Sequence, residues 1–190
     1  MKKLKTKICK VCHSEFQSFS TTARVCSPRC AIEYNKQQDK KAFKAETRCL
    51  KEKLKSRSDW IKETQQSFNA YIRYRDKDLP CISCGRVHDG QYHAGHYKTT
   101  GSHPELRFHP MNCHKQCAPC NNHLSGNVIE YRKTLINRIG EKNVEWLERD
   151  HPLQKWNIED LKEIKQHYKQ QLKYLKDNPV NHWMEGLEDL

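Results

Sequence analysis

The sequence is short of apolar residues and of acidic charge. Only 35% of its 190 residues are hydrophobic, whereas 31% are charged. Because so few apolar side chains cannot fill one large core, we expect metal-held modules and polar-faced helices in one medium or two small domains. Lys and Arg number 35 against 23 Asp and Glu, a formal net charge of +12. This excess favours a polyanionic partner, most commonly nucleic acid, over a basic protein with no specific partner.

A long hydrophobic run is also absent. The opening stretch MKKLKTKICK is positive but lacks the apolar segment of a signal peptide, and no stretch approaches the length of a membrane span. We therefore expect a cytoplasmic protein without a membrane partner. In a reducing compartment, closely spaced cysteine pairs are expected to bind zinc rather than to form disulfides.

Eight of the ten cysteines fall into four short pairs. Cys9 and Cys12 are separated by thirteen residues from Cys26 and Cys30, a spacing typical of a four-cysteine structural zinc site. Structural zinc can supply roughly 10–16 kcal/mol of folding free energy, which so small a unit needs. We predict a zinc finger over residues 1–34. Its role could be folding alone or contact with DNA.

Proline and glycine are missing from residues 31–79, which favours helix. Residues 36–57 hold nine Lys/Arg against three Asp/Glu, so this helix is either a solvated linker or a strut along a phosphate backbone. Ser56 and Asp59 predict the start of a second helix, which has apolar positions at helical spacing and ends before Pro80. We assign residues 35–79 to a basic helical linker and a packing helix.

A second cysteine set, Cys81/Cys84 and Cys117/Cys120, brackets 32 residues, more than an ordinary zinc ribbon encloses. The set is either a clip for a small fold or the frame of an active site. We predict a hairpin whose strands lie in GQYHAGHYKTT and in LRFHPMN, the latter ended by Pro110. A helix should begin just after the second knuckle, the Cys117/Cys120 pair, in APCNNHLSGNVIEYRKTL. The two remaining cysteines, Cys49 and Cys113, are interpreted as packing residues.

The C-terminal part of the chain, residues 141–190, is predicted to be helical. A preceding helix should stop at Gly140. Asn157 is a candidate N-cap of the last helix, whose apolar seam could pack on the chain's own helices or pair with a second copy. That seam consists of Leu161, Ile164, Tyr168, Leu172 and Leu175.

The order His96, Asn112, Asn121 resembles the HNH, or ββα-metal, nucleases. The segments KDLPCISCG, AGHYKTT, LRF, HKQC, CNNHLSGN and INRIG, in this order, are similar to the NinG (Rap) recombination endonuclease family of lambdoid phages. The resemblance is close over residues 58–175 and loose over the N-terminal finger. It implies an α + small β fold: a zinc-stabilised ββα-metal (HNH) core over residues 80–140, flanked by long helices and the finger.

The resemblance also implies a divalent-metal endonuclease that cleaves Holliday junctions and D-loops in the bacterial host cell. In this family pattern His96 is the catalytic base and Asn112 braces the loop that holds it. His93 and Asn121 match the metal-ligand positions, for Mg²⁺ or Mn²⁺ beside two structural Zn²⁺ sites. The chemistry of the residues agrees, since imidazole titrates near neutral pH and amide oxygen suits a hard ion.

One position departs from the family pattern, because His93 stands where Asp is common. A neutral imidazole brings no charge to Mg²⁺, so we expect a metal preference shifted toward Mn²⁺, Ni²⁺ or Zn²⁺. The departure also supports an alternative function, a junction-binding recombination factor whose nuclease centre has decayed. An RNA-binding zinc-finger protein is a third interpretation, although RNA binding would not require the ordered His96, Asn112 and Asn121.

Side chains between the two cysteine pairs of the second set are candidate contacts for DNA. Lys98, Arg107 and His114 are candidate DNA contacts, and His114 could instead make a structural hydrogen bond. A homodimer would give two cuts on a two-fold symmetric junction, through the apolar seam or the basic helix. Recombination proteins of the host are further candidate partners.

Overall fold

The computed structural model describes residues 4–179, so residues 180–190 of the predicted C-terminal helical part lie outside the described residues. The described residues divide into two compact units, with the boundary between Lys55 and Ser56. The fold mixes helices with two short antiparallel hairpins. The sequence predicted this mixed α + small β class, but not the hairpin of the first unit. The elements are β1 (Lys5–Ile8), β2 (Glu15–Ser18), α1 (Pro28–Lys53), α2 (Arg57–Arg75), β3 (Tyr92–His96), β4 (Cys113–Cys117), α3 (Val128–Ile139), α4 (Glu141–Glu148) and α5 (Ile158–Asp177). None of the helices in the described residues is long and apolar enough to cross a membrane.

The first unit is a small hairpin followed by a long helix. Strands β1 and β2 pair with Lys5 opposite Ser18 and Ile8 opposite Glu15. Helix α1 begins within the Cys26/Cys30 pair, where the Ser27 side chain accepts a hydrogen bond from the Cys30 backbone N–H. No residue of α1 is buried. This helix therefore contributes exposed basic surface rather than a core.

The second unit places the β3–β4 hairpin between two apolar clusters. Helices α2 and α5 pack together over one face of the hairpin, in a cluster that contains Phe68, Ile72 and Leu161. Helices α3 and α4 supply Tyr131 and Leu147 to the other cluster. The hairpin is thus covered on both faces, which explains why all five residues of β4 are buried.

The helix boundaries follow capping residues that the sequence displays. Ser56 and Asp59 form a reciprocal capping box at α2, and Asn157 and Asp160 form another at α5. Gly140 ends α3 with a positive φ of 82°, a conformation that favours glycine. Helix α2 ends at Arg75, before Pro80, because the chain turns at Asp76 and leaves the helix there.

The second strand of the central hairpin is not the one predicted. LRFHPMN begins at the end of one 3₁₀ turn, Pro104–Leu106, and ends in another, Pro110–Asn112. The partner of β3 is Cys113–Cys117, with Tyr92 opposite Cys117 and His96 opposite Cys113. Leu106 and Phe108 instead enter the two different clusters. The sequence CHKQC lacks an apolar–polar alternation because both its faces are buried, so period-two patterning could not reveal it.

The predicted helix after the second knuckle is interrupted. Pro119–His123 make a single wide π turn, and α3 starts only at Val128. Between them Ser125, Gly126 and Asn127 all have positive φ values, of 49°, 85° and 45°. The helix therefore cannot run through from Cys120, because a positive φ lies outside the right-handed helical region.

The apolar seam of α5 packs within the chain. Leu161 and Tyr168 belong to the α2 cluster, and Ile164 packs against it. Thr64 on α2 donates its hydroxyl hydrogen to the Leu161 carbonyl at 2.9 Å. Of the two interpretations that the sequence left open, packing on the chain's own helices is the one the structure shows.

Candidate functional site

The four cysteines of the first unit converge on one point. The sulfurs of Cys9, Cys12, Cys26 and Cys30 all lie within 4.8 Å of one another. A tetrahedral zinc ion with Zn–S bonds of about 2.3 Å would separate its sulfurs by about 3.8 Å. The observed Sγ–Sγ distances of 3.4 Å for Cys12–Cys26 and 3.7 Å for Cys26–Cys30 fit such an ion. This cluster could hold a metal ion, and its all-thiolate donor set is compatible with zinc.

The second cluster joins the hairpin to the turn that follows it. Cys81, Cys84, Cys117 and Cys120 also have all four sulfurs within 4.8 Å. Cys117 is the last residue of β4, and its backbone N–H donates to the Cys81 sulfur at 3.3 Å. A metal ion here would hold together the first knuckle (Cys81–Cys84), the end of β4 and the π turn. The donor set again suits zinc.

The hairpin register decides which candidate side chains share a face. Side chains directly opposite each other in an antiparallel pair point to the same face, and successive ones alternate. His93 therefore lies on the face of its partner Gln116, together with the Gly95–His114 pair. His96 lies on the opposite face with Cys113. The structure thus places the two histidines on opposite faces of β3.

His96 is enclosed on the α2 side of the hairpin. Its ring centroid lies 5.9 Å from that of Phe68, and its Nε2 lies 2.9 Å from the Arg107 carbonyl oxygen. Because a carbonyl only accepts, Nε2 carries the proton and Nδ1, 3.7 Å from the Cys113 sulfur, is unprotonated. Burial lowers the pKa of His96, although the hydrogen bond to Arg107 acts in the opposite direction. The imidazole is therefore neutral at pH 7.

Asn112 ties down the segment that follows His96. Its side chain is buried; Oδ1 accepts from the Lys98 N–H at 2.7 Å, and Nδ2 donates to the carbonyls of Lys98 and Leu106 at 3.0 and 3.1 Å. Its own carbonyl accepts from the Tyr97 N–H at 2.8 Å. All four hydrogen bonds link Asn112 to the main chain around the loop between β3 and β4. They restrict this loop on both sides of its turn.

His93 and Asn121, the candidate metal ligands, lie at the knuckle end of the hairpin. The His93 Nε2 is buried and has no hydrogen-bond partner in the described part of the chain. A buried imidazole nitrogen left unpaired costs free energy, so this nitrogen suits coordination of a metal ion. Asn121 lies in the π turn next to Cys120 and donates to the Asn122 side chain at 2.9 Å. Its Oδ1 is the donor atom that a hard divalent ion would use.

The three candidate DNA contacts differ in accessibility. Lys98 is partly exposed, with its Nζ 5.7 Å from the Tyr97 ring centroid. Arg107 is partly buried and donates to the Thr100 carbonyl at 2.9 Å. His114 has 2% of its surface exposed, and its Nδ1 accepts from Arg75 at 3.2 Å. His114 therefore makes the structural hydrogen bond, and its burial leaves no surface for a phosphate.

A buried charge network beneath the hairpin was missed from the sequence. Arg75 forms two hydrogen bonds with the Asp76 carboxylate, at 2.7 and 3.0 Å, and Arg138 approaches it at 3.7 Å. Burial opposes ionisation of Asp76, but Arg75 holds the pKa of this carboxyl well below its usual value. Asp76 accepts from the Lys115 N–H, and Arg75 donates to the Cys113 carbonyl. The adjacent Arg-Asp pair at the end of α2 thus fixes strand β4, a role that no spacing rule signals.

Comparison with known proteins places the chain in a family of phage proteins. The family model described as Bacteriophage Lambda NinG protein matches residues 1–178. The chain belongs to the NinG family. Its similarity to Protein ninG of Escherichia phage lambda is 45% identity over 171 residues, covering 80% of this chain and 84% of the relative. Protein ninG of Escherichia phage 933W is 42% identical over 188 residues, covering 90% and 94%.

A third NinG relative, from Salmonella phage P22, is 46% identical over 171 residues, covering 80% of this chain and 84% of the relative. No solved structure matched the chain. The family match confirms the NinG resemblance seen in the sequence, and the structure shows the mixed fold with two cysteine clusters that could hold metal ions. The NinG names state a phage family and no reaction.

Proposed function

We propose that this NinG-family protein is a metal-dependent, structure-selective DNA endonuclease that cleaves branched recombination intermediates such as Holliday junctions and D-loops. The observation that supports it most is the hairpin between Cys81/Cys84 and Cys117/Cys120, which would be clamped in one frame with the Asn121 turn. Within that frame the buried, unpartnered Nε2 of His93 suits a ligand.

The residues divide the chemistry of phosphodiester hydrolysis among them. His93 and Asn121 would hold a divalent ion, Mg²⁺ or Mn²⁺, which when bound supplies Lewis acidity at the scissile phosphate. A general base must be neutral to accept a proton, and the lowered pKa of His96 meets this requirement. Its unprotonated Nδ1 is the accepting atom, since Nε2 donates to Arg107. Asn112 would keep the loop after His96 in place.

DNA binding in this proposal is mainly electrostatic. The net charge is +12, and the exposed helix α1 carries much of the basic charge of residues 36–57. If six to ten phosphates are contacted, affinity should fall roughly 10³–10⁵-fold between 50 and 200 mM salt. Shape recognition of a branch would follow from two copies spanning the arms. We therefore keep the homodimer and the host recombination proteins as proposed partners.

A nicking assay on a four-way junction tests the proposal. Wild-type protein should cut with Mn²⁺ or Mg²⁺, and His96→Ala should lose at least about 100-fold in rate, the usual contribution of a general base. His151→Ala is the matched control, because this histidine lies after α4 and touches Trp146 rather than the hairpin. Absence of cutting by wild-type protein under every metal, with junction binding intact, would refute the nuclease.

A junction-binding recombination factor without nuclease activity is the second candidate. Two observations favour it: both ring nitrogens of His96 contact protein atoms, and His93 lies on the opposite face of β3. A base engaged in this way would have to turn its ring or move a neighbour before it could reach water. The binding factor predicts that His96→Ala and wild type bind a junction equally and that neither cuts it.

A further inference from the structure

A cavity of about 360 Å³ lies beside helix α5. It is also lined by Glu105, Phe108 and His109, which flank Arg107 in the sequence, and the Arg107 carbonyl contacts His96. Phe108, Trp156 and Tyr168 form its aromatic wall, and Ile164 on α5 closes one side. Neither cysteine cluster contributes to its lining. Its volume is large enough for one nucleobase and too small for a folded peptide.

The aromatic wall is held rigidly by hydrogen bonds to the main chain. The Trp156 indole N–H donates to the Pro104 carbonyl at 3.1 Å, and the Tyr168 hydroxyl donates to the Phe108 carbonyl at 2.7 Å. The rings of Phe108 and Trp156 meet edge to face, with centroids 5.5 Å apart. Since these contacts fix the rings in advance, a planar guest would lose little free energy to reorganisation of the wall.

Two residues that line the cavity each have a buried side-chain atom without a hydrogen-bond partner in the described part of the chain. The Glu105 side chain is only 9% exposed, and its Oε1 pairs with His103 Nδ1 at 3.0 Å. Its Oε2 is buried and has no hydrogen-bond partner among residues 4–179. Glu105 is one of the residues that line the cavity. The His109 Nδ1 is likewise buried and has no hydrogen-bond partner among the described residues. A buried carboxylate oxygen left unpaired is costly, so it suits a guest that donates hydrogen bonds.

We propose that this cavity binds one unpaired nucleobase of branched DNA, stacked on the aromatic wall with its amino group donating to Glu105 Oε2. The inference rests on the DNA-binding part of the proposed function. Stacking on aromatic side chains accepts any base, whereas a carboxylate accepts best from the exocyclic amino groups of cytosine, adenine and guanine. Thymine has no amino group, and its one donor, N3–H, is flanked by two carbonyl oxygens that a carboxylate repels. The cavity therefore prefers an amino-bearing base.

Other guests fit the cavity less well. Glu105 and Glu163 both line it, and their negative charge disfavours a phosphate. A metal cluster is not preformed, since among the described residues only the two cysteine sets bring three or more ligand atoms within 4.8 Å. An unpaired base at a branch is also the base that costs least to extrude, because no pairing has to be broken.

The cavity is connected to the candidate catalytic histidine through one short segment. Arg107, whose carbonyl accepts from His96 Nε2, lies between Glu105 and Phe108 of the cavity. Phe68 contacts both the His96 ring and the Phe108 ring, with centroids at 5.9 and 6.0 Å. A base held in the cavity would place its own phosphates near the hairpin, which gives the site a source of branch selectivity.

Filling the cavity tests the proposal directly. Ile164→Trp inserts a large ring into it, and Gln166→Trp, an exposed position on the same helix, is the matched control. Fluorescence anisotropy would measure affinity for a junction with an unpaired cytosine, for the same junction with an abasic residue there, and for paired duplex. We expect Ile164→Trp to lose about tenfold on the cytosine junction, the contribution of one stacked base, and nothing on the other two DNAs.

A second variant separates specificity from folding. Glu105→Gln keeps the side-chain volume but adds an amide donor, so preference at the unpaired position should shift from cytosine toward thymine. General destabilisation would lower affinity for both bases equally. Equal affinity of Ile164→Trp and wild type for the cytosine junction, or an unchanged base preference in Glu105→Gln, would overturn the proposal.

These binding measurements need no cleavage. If the wild-type protein cuts junctions and Ile164→Trp binds them normally, the proposal that the cavity binds a base is refuted and the nuclease proposal is not. If the protein shows the predicted base preference but never cuts DNA, the proposed endonuclease activity is refuted and base binding by the cavity is not.

Discussion

Gly95 leaves the space that the Gln116 side chain occupies. A Cβ on Gly95 would lie 2.0 Å from Gln116 Oε1 and 2.9 Å from its Cβ. Gln116 uses that space to reach away from β4, donating through Nε2 to the Ser83 hydroxyl at 2.7 Å and to the Gly126 carbonyl at 2.5 Å. One carboxamide thus links the hairpin, the first knuckle and the loop before α3.

Gly95→Ala should therefore destabilise the second unit by about 1–3 kcal/mol, the usual cost of overpacking. Both the clash and the loss of the Gln116 hydrogen bonds contribute. Gly90→Ala is the control, because nothing lies within 4 Å of a Cβ there. Urea unfolding monitored by tryptophan fluorescence measures the difference. Equal midpoints for the two variants would contradict the packing described here.

Asp76→Asn should lower the free energy of unfolding by more, about 3–5 kcal/mol, because it leaves the Arg75 charge buried without its carboxylate partner. Asp76 has a side-chain exposure of 2% and bonds both Arg75 and the Lys115 backbone. Asp78→Asn, whose side chain is 76% exposed, should change stability by less than about 0.5 kcal/mol. Chemical denaturation of the three proteins at pH 7 would show whether the network carries this weight.

Cysteine substitution should divide the ten cysteines into ligands and bystanders. Cys12→Ser and Cys84→Ser are each expected to lower the bound zinc by one ion per chain, one for each cluster. Cys49→Ser should change nothing, since Cys49 is exposed and lies outside both clusters. Elemental analysis after gel filtration gives the zinc content. Full zinc content in Cys84→Ser would show that the second cluster is not the metal site we infer.

His93→Asp should move the metal preference of the proposed catalytic site toward Mg²⁺. A carboxylate brings the negative charge that imidazole lacks, whereas imidazole favours Mn²⁺ and later transition metals. Calorimetric titration with Mg²⁺ and Mn²⁺, on protein already loaded with zinc, reads the preference without relying on cleavage. His93→Ala should weaken binding of both ions. If all three proteins bind the two ions alike, His93 is not a ligand.

His109 should make stability fall in mild acid. Burial, assisted by the nearby His151, lowers the pKa of His109 to about 4, whereas an unfolded histidine titrates near 6.5. Between these values the unfolded state binds more protons, so stability decreases as pH falls through this window. The slope for one partly buried group should be below about 1.4 kcal/mol per pH unit. His109→Gln should flatten the curve between pH 6.5 and 5.5, measured by urea unfolding with zinc present.

Local features of the sequence predicted the parts of the fold that depend on local chemistry. Cysteine spacing indicated both clusters, and the capping pairs at Ser56 and Asn157 gave the starts of α2 and α5. Gly140 gave the end of α3. Each of these depends on side chains a few residues apart, whose geometry hardly changes with the rest of the molecule. Family motifs added the candidate residues, which sequence alone could not arrange in space.

Tertiary structure decided what depends on burial and on partners far apart in the chain. It made CHKQC rather than LRFHPMN the second strand, buried His114, and put His93 and His96 on opposite faces. It also gathered Glu105, Phe108 and Trp156 around one cavity. The physical reason is that a buried strand shows no alternating pattern, and that the free energy of a polar group depends on neighbours the sequence does not place beside it.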